Sequence, residues 1–118
     1  MDLSVQVEEL EGNGDGWAVA RVAGELDVAT APRLREQLVS LLTDGRRHLV
    51  LDLSGVEFLD STGLGVIVGV LKRARTLGGD LRLVCPNPAI RRVFEITALD
   101  RTMPLSDTVD AALIGAEG

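Results

Sequence analysis

One cysteine, Cys85, in a chain of 118 residues leaves no partner for an intramolecular disulfide and fits a reducing compartment. Its expected role is a small apolar side chain buried at a strand end. Aromatic residues are almost as scarce: Trp17, Phe58 and Phe94 make up 3% of the chain, and there is no tyrosine. The core must therefore come from Val, Leu, Ile and Ala. At 46% hydrophobic residues there is enough for one core without metals or disulfides. Basic residues are also short, 12 against 18 acidic, for a net charge of −6. That deficit argues against direct nucleic-acid binding, which rests on Lys and Arg neutralising phosphates. The longest apolar run, "GLGVIVGVL", stops after nine residues at Lys72, too short to span a bilayer. The opening "MDLSVQVEEL" lacks the basic-then-apolar pattern of a secretory signal. The expectation is one soluble, cytoplasmic domain over 1–118, with 116–118 as a flexible tail and no contact with membrane or nucleic acid.

What is present reads as alternating strands and helices. Residues 3–10 alternate apolar and polar, "EGNGDG" signals a turn, and "WAVARVAG" alternates again, which predicts an antiparallel hairpin. In "TAPRLREQLVSLLTDG" the period changes. Leu34, Leu38, Leu41 and Leu42 share one helical face, Thr30 can cap and Gly45 can end it. "HLVLDLS" is a nearly continuous apolar run, expected of a strand covered on both faces or at a sheet's centre. A helix over about 61–77 ends at Gly78-Gly79, "DLRLVC" is a further strand, and a short helix follows with Asn87 as cap and Pro88 in its first turn. "TMPL" is expected as a short edge strand, with Ser106 capping a last helix. The order β-β-α-β-α-β-α-(β)-α describes an α/β domain with a mixed sheet. The strands near 17–24 and 48–53, joined through a helix, should run parallel. Their carboxyl ends then share one sheet edge, where α/β folds usually build sites. Glu25, Asp27, Asp60, Ser61 and Thr62 are expected on that shared surface.

The segment "VEFLDSTGLGVIVGVLK" raises the main question, because each glycine in a helix interior costs roughly 1 kcal/mol against alanine. At 100° per residue, Gly63, Leu64, Ile67, Val70, Leu71 and Ala74 form one apolar face. Thr62, Gly65, Gly69, Lys72 and Thr76 fall on the opposite side. Two readings fit: either Gly65 and Gly69 form a smooth groove for a partner, or a neighbouring loop packs on them. Asp60 and Ser61 are both good caps, and one of them is expected to do that work. A helix amino end also tolerates a phosphate, which on Ser61 adds about −1.5 to −2 charges. Such a charge beside Asp60, Glu25 and Asp27 leaves the fold intact yet opposes any protein covering the patch. A loss of about 3 kcal/mol at an interface is more than a hundredfold in affinity.

Catalytic readings fare worse. "GLGVIVG" superficially matches a dinucleotide fingerprint, but its glycines fall inside the helix and the following strand opens, rather than closes, on an acid, Asp80. Leu59 stands where a G-x-S-x-G elbow around Ser61 needs glycine. His48, the one histidine, opens a strand beside Arg46 and Arg47, and no Cys/His cluster offers transition-metal ligands. Asp52 ends the apolar strand run as a phospho-acceptor aspartate would. However, the first strand leads into "EGNGDG" without the acidic pair that such a site needs for magnesium. No catalytic residue, cofactor or metal site is expected. The cluster "IRRVF" offers Arg91 and Arg92 either as a solvated face or as a pair for an acidic partner.

Taken together, "GELD" at 24–27 and "DSTGLG" at 60–65 resemble the anti-sigma factor antagonists of bacteria, built on the STAS domain. The resemblance spans nearly the whole chain, including "VLDLSGVEFLDSTGLGVIVG", "GGDLRLV" at 78–84 and "IRRVFEITALD" at 90–100. One departure is Ala98, where a glycine is common. The resemblance implies a mixed sheet of four or five strands with helices mainly on one face. It also implies a partner switch in transcription regulation. The unphosphorylated antagonist binds an anti-sigma factor that is also a serine kinase, which frees the sigma factor. Phosphorylation of the serine after the motif aspartate releases the antagonist, and a metal-dependent serine phosphatase resets it. Here that serine is Ser61, with Thr62 as a minor alternative acceptor. The kinase-facing surface maps onto Gly24, Glu25, Leu26, Asp27, Ser61, Thr62, Gly63 and Gly65, flanked by Asp60 and Gly69. The alternative within the family is a STAS subunit of a lipid-transport ATPase or of a stress-sensing assembly.

Overall fold

In the computed structural model of the chain, residues 2–10 and 17–114 are described. The expected "EGNGDG" turn and the 116–118 tail lie outside them. The elements are β1 (Leu3–Leu10), β2 (Trp17–Leu26), α1 (Ala31–Thr43), β3 (His48–Leu59), α2 (Ser61–Thr76), β4 (Asp80–Val84), α3 (Pro88–Ile96), a 3₁₀ turn (Leu99–Arg101), β5 (Leu105–Ser106) and α4 (Val109–Ile114). They build one five-stranded sheet in the order β1-β2-β3-β4-β5. β1 runs antiparallel to β2, and every other pair is parallel, as the helical crossovers require.

Alternation along the central strands explains the layers. Leu49, Leu51 and Leu53 of β3 and Leu81 and Leu83 of β4 point to one face. There they join Leu34, Leu38 and Leu42 of α1, Ile67, Val70, Leu71 and Ala74 of α2, and Ile90 and Phe94 of α3 in a single apolar cluster. Val19, Val50 and Val84 point the other way and pack under Ala112 of α4. Three helices thus cover one face and α4 the other. Over residues 49–51 both faces of β3 are buried, which is why this stretch reads as a run rather than an alternation. Cys85, just past β4, is buried in the main cluster, and that burial pushes its thiol up to about 11 against the opposing pull of Arg91. Among the described residues no helix is long and apolar enough to cross a membrane.

Three details depart from expectation. β3 continues to Leu59, so Asp52 lies mid-strand instead of at a strand end. Its pairing with β4 stops at Asp52, while its pairing with β2 runs on to Leu59 through two register shifts. The edge strand forms over Leu105–Ser106, and Ser106 does not cap α4. Its carbonyl accepts the Cys85 N–H at 2.8 Å, and the hydroxyl of Thr108 takes the Ala111 N–H at 3.1 Å. Two cap-competent residues stood two apart, and sheet pairing claimed the first. Thr30 occupies the start of α1, but its hydroxyl makes no capping bond to that helix. Ala98 takes the left-handed conformation, φ 60°, alone among the described non-glycine residues.

Candidate functional site

The parallel β2–β3 register sets Glu25 beside Phe58 and Leu26 beside Leu59, so the loops leaving both strands emerge together. They are also tied: the Asp60 N–H donates to the Leu26 carbonyl at 3.1 Å. The amino end of α2 then rests on the end of β2. A Cβ at Gly63 would lie 2.7 Å from Leu26 Cγ, 2.8 Å from Leu59 Cδ1 and 2.9 Å from the Leu26 carbonyl oxygen. Only glycine permits that approach. Gly24 has a different necessity: its φ is +106°, and a Cβ there would sit 2.1 Å from the Asp2 carbonyl oxygen. Gly63 thus lets the start of α2 rest on the end of β2, and Gly24 lets β2 pass close to Asp2.

Asp60 is the cap. Its Oδ1 accepts the Gly63 N–H at 3.0 Å, and its carbonyl accepts the first helical N–H, from Leu64, at 3.0 Å. Ser61 is thereby released from capping. It is exposed at the first helical position, and no hydrogen bond among the described residues engages its hydroxyl. Thr62 is exposed beside it. On the facing loop, Asp27 is only 8% exposed, and its Oδ1 accepts the N–H groups of Ala29 at 2.9 Å and Thr30 at 3.1 Å. The Thr30 hydroxyl donates to the Glu25 carbonyl at 2.7 Å and accepts the Asp27 N–H at 3.0 Å. The second loop is thus internally tied down, with Glu25 half-buried and Leu26 fully buried. Of the residues singled out from sequence, Leu26, Asp27 and Gly63 lie in the interior, whereas Ser61, Thr62, Gly65 and Gly69 face outward.

The helical-wheel question resolves as well. A Cβ at Gly65 or Gly69 would meet nothing within 4 Å, so no described loop packs on them. Both line a groove of about 310 Å³ between the two helices, with Thr62 and Arg73 from α2 and Arg35 and Val39 from α1. The α1 contribution was invisible to a reading of α2 alone. Two exposed apolar side chains on the same edge were also missed, Phe58 at 48% and Val28 at 69%. For Phe58 a signal existed: one of three aromatics sits outside the apolar alternation, immediately before the capped helix.

Other candidate residues are engaged in the fold. The Asp52 carboxylate accepts the Ser54 N–H at 2.9 Å and also its hydroxyl. His48 stacks on Trp17 with ring centroids 5.0 Å apart. Arg91 bonds Asp107 at 3.1 Å and the Cys85 carbonyl at 3.2 Å, while Arg92 is exposed.

A five-stranded mixed sheet with helices mainly on one face, its site set where two strand ends meet a capped helix, describes a STAS-type α/β domain. The STAS domain family model matches residues 4–112, and the chain belongs to that family. It is 39% identical over 106 residues to an anti-sigma-B factor antagonist of Bacillus subtilis, a match covering 90% of this chain and 93% of that protein. An anti-sigma-B factor antagonist of Staphylococcus aureus is 39% identical over 93 residues, 79% of this chain and 86% of the relative. The crystal structure of an anti-sigma factor antagonist from Mycobacterium paratuberculosis superposes with a TM-score of 0.86 at 36% identity, covering 99% of this chain and 96% of that one.

Proposed function

We propose that this protein is an anti-sigma factor antagonist switched at Ser61. In its unmodified form it binds an anti-sigma factor that is also a serine kinase, which frees the sigma factor. Transfer of a phosphoryl group to Ser61 ends that binding, and a metal-dependent serine phosphatase restores it. The role is regulatory, with no chemistry performed by the chain itself.

The observation that carries this reading is the division of labour at the start of α2. Asp60 satisfies the Gly63 N–H, so the exposed Ser61 hydroxyl can be modified without uncapping the helix. A phosphate at the first helical position meets the positive end of the helix and its free N–H groups, so the fold tolerates it. The same phosphate adds about −1.5 to −2 charges to a chain that already carries −6. A partner covering Phe58, Val28 and the outward face of α2 must then desolvate that charge, which costs affinity. Leu26, Asp27 and Gly63 support this surface without facing the partner, and Thr62 is a second hydroxyl within reach of the same kinase. The names of the relatives support the antagonist role.

The test is incubation with ATP and each candidate serine kinase encoded in the same genome, followed by mass-spectrometric mapping of the modified residue. Transfer to Ser61 by a kinase that also binds the unmodified chain is the expected result. A kinase that binds but modifies only residues away from 61 and 62 would overturn the proposal, as would the absence of any binding kinase.

A further inference from the structure

The groove between α1 and α2 carries two residues that the packing of the domain does not require. Gly65 and Gly69 line it, four residues apart and so about 6 Å along the helix axis. Neither is needed inside, since a Cβ at either position meets open space. Alanine there would favour the helix, which leaves the glycines without an internal purpose. The groove is apolar at depth, where Val70 is 2% exposed and Val39 and Val66 also contribute.

Its charge is the second observation. The chain is acidic overall, with 18 acidic residues against 12 basic, yet no Asp or Glu lines this groove. Two arginines do, Arg35 from α1 and Arg73 from α2, so cationic side chains stand on both sides. Both are exposed, and neither takes part in an ion pair among the described residues. By contrast, Arg21, Arg46, Arg75 and Arg91 each face a carboxylate of the chain itself. The groove therefore presents a positive rim, a dry floor and a path for close backbone approach. Thr62, next to Ser61, lines its end, so the groove and the switch surface are continuous.

We propose that this groove seats an acidic segment of the same kinase partner, whose carboxylates pair with Arg35 and Arg73 while small apolar side chains reach the floor between the helices. The inference rests on the proposed antagonist function and adds what the partner must present. Rim charges of this kind set partner choice and association rate more than total affinity. The groove would thus distinguish the cognate kinase from others sharing its fold.

The experiment measures binding of the kinase that modifies Ser61 to the full chain. It uses a Ser61→Ala background, so that phosphoryl transfer does not interfere. Variants are Arg35→Glu with Arg73→Glu, and separately Gly65→Leu, each checked for an unchanged melting temperature. The charge reversal is expected to weaken binding at least tenfold at low salt and to flatten its salt dependence, because exposed pairs are screened. Gly65→Leu fills the groove without touching the charges and is expected to weaken binding comparably, with the salt dependence retained. Full-affinity binding by the folded charge-reversal variant overturns the groove proposal while leaving the Ser61 switch standing. Failure of every kinase to bind the wild-type chain overturns both. Concentration-dependent dimerisation of the chain, abolished by the charge reversal, would assign the groove to a second copy and overturn the proposal as well.

Discussion

The starts of α1 and α2 use the same chemistry to opposite ends. Each is preceded by an aspartate whose Oδ1 accepts nearby backbone N–H groups, Asp27 for α1 and Asp60 for α2. Each has a hydroxyl residue within three positions. At α1 the hydroxyl belongs to Thr30, is 7% exposed, and bridges the Glu25 carbonyl and the Asp27 N–H. At α2 it belongs to Ser61, faces outward and bonds to nothing described. The first loop is a brace and the second a handle. A capped helix start can therefore serve either structure or signalling. What decides between them is whether the neighbouring backbone folds over the hydroxyl.

Glycines repeat the contrast. Gly63 is packed against Leu26 and Leu59, while Gly65, two residues further on, looks into open space. The widest separation between the two regions should come from these positions. Gly63→Leu drives a side chain into occupied volume. It should cost more than about 3 kcal/mol, or prevent folding altogether, in urea-denaturation curves. Gly65→Leu should leave stability within about 1 kcal/mol of wild type and could raise it, since leucine favours helix. Equal losses at both positions would break the comparison.

Next in size is Thr30→Val, which removes a buried donor to the Glu25 carbonyl and a buried acceptor for the Asp27 N–H. A loss of about 1–3 kcal/mol is expected. Asp60→Ala removes a cap at a half-buried site and should cost about 1 kcal/mol by the same assay. Smallest is Ser61→Ala, expected within about 0.5 kcal/mol of wild type, because nothing in the fold uses the hydroxyl. Its functional effect is the reverse of its structural one. Ser61→Ala should bind the kinase and resist modification, and Ser61→Asp should melt normally yet bind at least tenfold more weakly in calorimetric titration. If Thr30→Val proved harmless and Ser61→Ala destabilising, the brace and the handle would have to be exchanged.

Much of this is legible in the amino-acid sequence alone. The hairpin, the two crossover helices and the dry central strand followed from periodicity and from Gly and Pro punctuation. That Glu25, Asp60, Ser61 and Thr62 share one edge followed from the handedness and direction of parallel crossovers, whereas the burial of Asp27 behind that edge did not. The wheel placed Gly65 and Gly69 outward correctly, because 3.6-residue geometry does not depend on neighbours. Less legible were features decided by what lies opposite. Ser106 reads as a cap but pairs with β4. Asp52 reads as a strand end, yet bulged pairing with β2 carries the strand seven residues further. Arg91 reads as available but is engaged by Asp107.

By itself the sequence determined the order of elements, the composition of the core, the outward face of α2 and the presence of a hydroxyl beside an aspartate at its start. Each is a property of near neighbours along the chain, governed by local dihedral preference and residue spacing. Only the tertiary structure decided which aspartate-linked hydroxyl is sealed and which is open, and that Arg35 and Arg73 share one groove. Those outcomes depend on contacts between residues far apart in sequence. Burial and charge pairing are set by whichever surface the fold brings opposite, and no local pattern encodes that.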